Sequence, residues 1–267
     1  MSTVVITGST KGVGFGMAKA FAARGHDVVV SGRSLADAQQ RADAVRANAP
    51  GRQAVGVACD VTDPKAVQTL WDSAVNHFGG VDIWINNAGL AKTTRRIQDI
   101  PDDDVRAMVT TNMLGTIYGS QVAIRGFTAL GQGKLFNVLG GGSDGRAREN
   151  MGVYGSTKRG LKFFTDALVK EAKGTSIVVG EIRPGILISD GWLREAAEAD
   201  RSQIESGRKA LNILADHVDD VAPYLVDGVL AASKSGAEVA WLTTGKIARR
   251  FVTASWKKRD VLSRYDV

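Results

Sequence analysis

Tyr154 and Lys158 stand four residues apart in the stretch YGSTK. On a helix that spacing puts both side chains on one face, with Cβ atoms about 5–6 Å apart. An ammonium beside a phenol favours the phenolate, so Lys158 is expected to draw the Tyr154 pKa from about 10 toward neutrality. Such a phenol is a usable general acid toward a carbonyl oxygen that gains charge as hydride arrives. By itself the pair also fits the polar side of an ordinary exposed helix. A second cluster gives it a partner. In TGSTKGVG, Gly8, Gly12 and Gly14 lie between a β-branched run and a helical segment, a turn whose backbone can approach a pyrophosphate at the positive end of a helix. Gly8, Ser9, Thr10, Lys11, Gly12, Val13 and Gly14 are therefore candidate cofactor contacts; the alternative is tight packing without a nucleotide.

The end of the second strand bears on which dinucleotide fits. A site for NAD places a carboxylate there to accept from the ribose 2′-hydroxyl, and that acid repels a 2′-phosphate. Here the strand ends VVVSGRS, with Ser31 or Gly32 at the acid's position and Arg33 and Ser34 following. A guanidinium suits a phosphate monoester, and Lys11 reaches toward the same point. NADP(H) is expected over NADH, unless Arg33 and Lys11 are only solvated surface charges.

Alternating elements position these residues. TVVIT (3–7), HDVVVSG (26–32), QAVGVAC (53–59), VDIWIN (81–86), KLFNVL (134–139), SIVVGEIR (176–183) and VAWLT (239–243) read as strands. Between them lie helical segments from about Val13 to Arg24, through LADAQQRADAVRANA, after Pro64, over 114–130, and over 154–173. Strand–helix alternation predicts a parallel sheet covered on both faces. Residues 184–217 form a long, charged, mostly helical excursion before a helix near 218–232, and excursions beyond a strand's carboxyl end usually cover a ligand. Trp192 and Leu193 there are either an apolar lid or core.

A chain of 267 residues with 44% hydrophobic and 23% charged residues fits one α/β domain, taken as 1–245 with a basic extension at 246–267. The lone Cys59 allows no internal disulfide and suits a reducing, cytoplasmic setting. The net charge of +6 is concentrated in the extension, where seven basic side chains meet two acidic ones, a local +5. The near-neutral body argues against a nucleic-acid surface. In the extension Ile247, Phe251, Val252 and Trp256 interleave with Arg and Lys, a pattern read either as packing or a subunit contact, or as a membrane surface contact. His26, His77 and His217 have no zinc-ligand spacing, so no metal is expected.

Taken together, TGSTKGVG, Asp60-Val61, NNAG (86–89), Asn112, YGSTK and PGILIS (184–189) resemble the short-chain dehydrogenase/reductase family over nearly the whole chain. The resemblance implies a Rossmann-type, doubly wound parallel sheet of about seven strands in three α/β/α layers. It implies that Asp60 lies near the adenine, that Asn87, Ala88 and Gly89 line the cofactor floor, that Ser189 contacts the nicotinamide carboxamide, and that Val61, Pro184 and Gly185 also bind the cofactor. It further implies that Lys158 holds the nicotinamide ribose, that Asn112 anchors a water relaying protons to Lys158, and that helices 114–130 and 154–173 build a homodimer or homotetramer.

The chain departs from the family at one point. The usual serine thirteen residues before the tyrosine is replaced, because counting back reaches Gly141 and counting on from Asn137 reaches Gly140. Ser143 is the nearest hydroxyl. It is expected to return to the carbonyl through the flexible glycines, the alternative being a turn cap with Asp144 and Gly145. FNVLGGGSDG and the basic, Trp-containing end are similar to the chlorophyll b reductase branch, which implies reduction of a formyl group on a bulky apolar tetrapyrrole. A general ketone, steroid or acyl-thioester reductase, or an NADPH sensor without turnover, shares most of these residues.

Overall fold

The computed structural model describes residues 1–198 and 201–265; positions 199 and 200 of the excursion and the last two of the extension lie outside the described residues. Among the described residues nine strands occur: β1 (Thr3–Ile6), β2 (Asp27–Gly32), β3 (Ala54–Ala58), β4 (Ile83–Asn86), β5 (Gly133–Val138), β6 (Ile177–Arg183), β7 (Ile186–Ile188), β8 (Ala215–His217) and β9 (Ala237–Ala240). Seven form one sheet in the order β3-β2-β1-β4-β5-β6-β9, every pair parallel. The order reverses between β1 and β4, which opens a crevice at their carboxyl ends. This is the parallel sheet covered on both faces that the alternation of elements predicts, in the three-layer Rossmann-type form that the resemblance implies.

The helices are α1 (Gly12–Ala23), α2 (Leu35–Asn48), α3 (Pro64–Phe78), α4 (Asp102–Val109), α5 (Gly115–Leu130), α6 (Gly152–Glu171), α7 (Asp190–Glu198), α8 (Arg201–Leu214), α9 (Val218–Ala231) and α10 (Thr244–Thr253). Strand side chains alternate between faces, so two cores form. Val4, Ile6, Val28 and Val30 meet Met17, Phe21, Val45 and Leu225 from α1, α2 and α9. Val5, Val29, Trp84 and Leu135 meet Leu70, Trp71, Val122 and Phe127 from α3 and α5 on the other face.

Two features escaped the sequence pattern. The excursion is tied off by a short parallel pair, β7 with β8, and the boundary expected at 245/246 falls inside α10, whose N-terminus Thr243 caps through Oγ1 accepting from Lys246 N (3.2 Å). Trp192 and Leu193 pack against a small cluster of Ile188, Ala215, Val261 and Leu262. That cluster anchors the end of the extension to the base of the excursion.

Buried amides lock the centre of the sheet to α5 and α6. Trp84 Nε1 donates to Asn86 Oδ1 (2.8 Å), while Asn86 Nδ2 donates to Ser120 Oγ (3.0 Å) and Asn137 Oδ1 (2.9 Å). Asn137 Nδ2 in turn donates to Thr165 Oγ1 (3.0 Å). Gly119 gives this chain its room, since a Cβ there would lie 2.0 Å from Asn86 Oδ1. Gly119→Ala should therefore destabilise the protein by about 1–3 kcal/mol, despite alanine's advantage of about 1 kcal/mol in a helix. Thermal unfolding measures it, at about 2–4 °C per kcal/mol; an unchanged midpoint would show that the amide chain tolerates the methyl group.

Candidate active site

The first turns of α6 carry Tyr154 and Lys158 to the carboxyl end of β5. Lys158 is 5% exposed and its Nζ donates to Val138 O (3.0 Å). The ammonium lies 5.8 Å from the centre of the Tyr154 ring. A Cβ on Gly89 would lie 3.7 Å from Nζ, so the lysine sits beside the NNAG segment. Asn112 is fully buried in a π-helical turn over Thr110–Leu114, a local widening that often serves a site. Its amide pairs reciprocally with Leu90, accepting from N (2.8 Å) and donating to O (2.9 Å). It also donates to Thr157 Oγ1 (3.0 Å), which donates to Tyr154 O (2.7 Å). Asn112 thus braces the backbone of Tyr154.

The expected acidification of Tyr154 is corrected here. Burial, with the negative charge of Glu195, pushes its pKa up to about 12. Burial pushes Lys158 down to about 8. Removing a phenolate from water outweighs an ammonium that is turned toward Val138 O, because desolvation penalises whichever form is charged. Tyr154 is a neutral phenol at neutral pH, the form that holds a proton to give.

Gly140, one of the two positions reached by counting for the family's usual serine, lies against Tyr154: a Cβ there would lie 2.3 Å from Oη. The phenol hydroxyl fills the space such a side chain would take. Ser143 is 3% exposed and belongs to a turn in which its N–H donates to Gly140 O (3.2 Å) and Gly145 N–H donates to Gly142 O (2.9 Å). Arg159 Nη1 donates to its carbonyl (3.0 Å). Among the described residues no hydrogen bond joins the Ser143 hydroxyl to Tyr154 or Lys158.

The glycine-rich turn has the shape its sequence implies. Gly8 (φ +61) approaches Ala88 so closely that a Cβ would lie 2.8 Å from its Cα, and Gly12 (φ +55) faces Ser189. Asn87 holds the turn, donating through Nδ2 to Thr7 O (2.8 Å) and Gly8 O (3.0 Å), while the N–H groups of Asn87 and Ala88 donate to Thr7 Oγ1. Ser9 is fully buried, its hydroxyl donating to Ile6 O (2.7 Å) and accepting from Ser31 N (2.9 Å); its side chain braces β1 to β2. Val13 and Gly14 begin α1, with Lys11 exposed at its N-cap.

At the end of β2, Gly32 leaves no room for an acid, because a Cβ would lie 2.7 Å from Thr10 Cγ2. Arg33 is exposed beside it, and the Ser34 hydroxyl caps α2, accepting from Asp37 N (3.2 Å). Asp60 is exposed after β3 and accepts from Thr62, with Val61 buried next to it. Pro184 is buried and Gly185 takes φ +81 after β6. Turn, strand end and Ser189 lie together at the carboxyl end of the sheet, and the glycine-rich turn at the positive end of α1 fits a dinucleotide.

Three residues at this crevice were not legible in the sequence. Asp190 Oδ2 accepts from Gly12 N (2.9 Å) at the positive end of α1. Glu195 Oε2 accepts from Thr93 Oγ1 (2.5 Å) and Thr93 N (3.3 Å), and its charge reaches Tyr154. These contacts strap α7 across the crevice from sequence separations of 178 and 102, and no local motif announces such pairs.

Comparison with known proteins agrees with this geometry. The family model described as short chain dehydrogenase matches residues 2–199. A probable chlorophyll(ide) b reductase of Arabidopsis thaliana is 33% identical over 272 residues, covering 96% of this chain and 53% of that protein, so the chain spans about half that relative's length. A 3-ketoacyl-(acyl-carrier-protein) reductase of Brucella melitensis, solved with NADH, is 26% identical with a TM-score of 0.77 over 90% of this chain and 96% of that one. A short chain dehydrogenase of Burkholderia cenocepacia, solved with NADP, is 26% identical with a TM-score of 0.74 over 89% and 95%. With its phosphate turn, its NNAG floor and its tyrosine–lysine pair on one sheet edge, this chain belongs to the short chain dehydrogenase family.

Proposed function

We propose that the protein is an NADPH-dependent reductase that converts the carbonyl group of a bulky apolar substrate to an alcohol, the formyl group of a tetrapyrrole such as chlorophyll b being the leading candidate. The observation that carries this reading is the neutral Tyr154 hydroxyl seated over side-chain-free Gly140, with the Lys158 ammonium buried behind it. The bound cofactor supplies the hydride. Tyr154 gives its proton to the oxygen that becomes an alkoxide, and a phenol pushed up to about 12 still protonates an alkoxide, a base comparable to hydroxide and far stronger than a phenolate. Lys158, held by Val138 O, keeps positive charge beside the developing phenolate. Asn112 and Thr157 fix the backbone of Tyr154. The similarity to a plant chlorophyll(ide) b reductase supports the choice of a bulky substrate. A homodimer or homotetramer through α5 and α6 fits the exposed Phe163 (79%) and Leu130 (53%).

NADPH oxidation in the presence of chlorophyll b, aromatic aldehydes and simple ketones tests the reading. Turnover should appear with bulky aldehydes and fall by about 10² or more in Tyr154→Phe; a phenylalanine variant of normal rate removes the assigned acid. Loss of a preorganised oxyanion donor costs about 10²–10³ in kcat. With no hydrogen bond from its hydroxyl to Tyr154 or Lys158, Ser143 is expected to cost less than about tenfold in Ser143→Ala, and a loss in the donor range would return it to the carbonyl.

Arg33 is the proposed reader of the 2′-phosphate, supported by its exposure and by the absence of room for an acid at Gly32. Arg33→Asp should lower kcat/KM for NADPH relative to NADH by about 10- to 100-fold, the worth of a charged hydrogen bond. An unchanged ratio of the two cofactors contradicts this role.

A further inference from the structure

α10 is amphipathic, and it is mounted with Phe251 and Val252 outward. At helical spacing Lys246, Arg249, Arg250 and Thr253 share one side, and Ile247, Ala248, Phe251 and Val252 share the other. Arg249, Arg250, Thr253 and Ala254 line a cavity of about 760 Å³ between α10 and α8. No residue of the helix is buried. Phe251 is 52% exposed, Val252 66%, and Trp256 in the turn that follows 69%. Arg250 ties the helix to the body through Asp216 and Ile247 is half-buried, whereas Phe251 and Val252 stand exposed with the exposed Arg249 flanking them.

The charge around this face is only partly compensated. Asp216 accepts from Arg250 Nη1 (2.8 Å) and Arg259 Nη2 (2.6 Å), and from Trp241 Nε1 (2.6 Å), which commits its carboxylate. Lys209, Arg249, Lys257 and Lys258 have no ion pair among the described residues. Burial first, and then the neighbouring Arg250, hold Lys246 down to about 8.

We propose that α10 and the turn after it dock the protein on an anionic lipid bilayer, with Phe251, Val252 and Trp256 entering the headgroup boundary while Arg249, Lys257 and Lys258 meet acidic headgroups. Apolar anchors beside unpaired cations are the two signals that bind an interfacial helix. The charge decides the occupant: a second copy laid face to face would set like-charged extensions against each other, whereas an acidic bilayer satisfies both the cations and the apolar side chains. The assignment is independent of the catalytic reading, since none of these residues lies at Tyr154.

The test is co-sedimentation of the full chain with dioleoylphosphatidylcholine vesicles, with and without dioleoylphosphatidylserine, alongside sedimentation velocity and thermal unfolding. The wild-type protein should bind the phosphatidylserine vesicles, not the neutral ones, and be released by salt. Lys257→Glu with Lys258→Glu should weaken partitioning by more than about fivefold for each charge, and Phe251→Ser with Trp256→Ser should abolish it, with the unfolding midpoint kept. Salt release of the unaltered protein reads the charge component without any variant. Binding that is absent, equal on both vesicles, or untouched by these variants overturns the proposal. So does competition by free glycerophosphoserine, which would make the ligand a soluble anion, and so does a smaller oligomer in Phe251→Ser without vesicle binding, which would make the occupant a second copy.

Discussion

The seating of α6 over the carboxyl end of β5 is the constraint on which the rest of the site depends. Asn137 of β5 donates to Thr165 of α6 and Lys158 donates to Val138 O, both in the interior. A buried polar group left without its partner costs about 1–3 kcal/mol, so the helix has one position that satisfies them together. Asn86 joins the same chain from β4. Because β4 also ends in the NNAG segment, one set of buried hydrogen bonds sets the phenol, the ammonium and the cofactor floor in mutual register.

That placement creates a competition between charge attraction and desolvation. An ammonium near a phenol favours the phenolate, but taking either ion out of water disfavours it, and in this interior the second effect is the larger. The outcome suits reduction, since the acid must hold its proton until negative charge appears on the substrate. Glu195 pushes in the same direction. A carboxylate brought by α7 therefore takes part in setting the protonation of a residue on α6.

The excursion and the extension are coupled to each other as well as to the crevice. Asp190 meets the N-terminus of α1 and Glu195 meets Thr93, while Asp216 at the excursion's base gathers Trp241, Arg250 and Arg259. Val261 and Leu262 close the same base. The chain's last described residues thus steady the element that straps the site, and α10 between them is left with Phe251 and Val252 in water.

The sequence by itself determined the sheet, the phosphate turn and the tyrosine–lysine pair, because each depends on short-range rules. Alternating apolar runs report strands, glycines mark a positive-φ turn, and a four-residue interval on a helix makes neighbours of Tyr154 and Lys158. It also revealed the missing serine, with two positions reached by counting, of which Gly140 lies against the Tyr154 hydroxyl. Tertiary structure alone decided the rest. The direction of both pKa shifts depends on burial, the turn that holds Ser143 depends on the path of the loop, and the bonds of Asp190, Glu195 and Asp216 join residues far apart in the chain. Burial and long-range pairing follow from how finished elements pack, and local spacing carries no record of that.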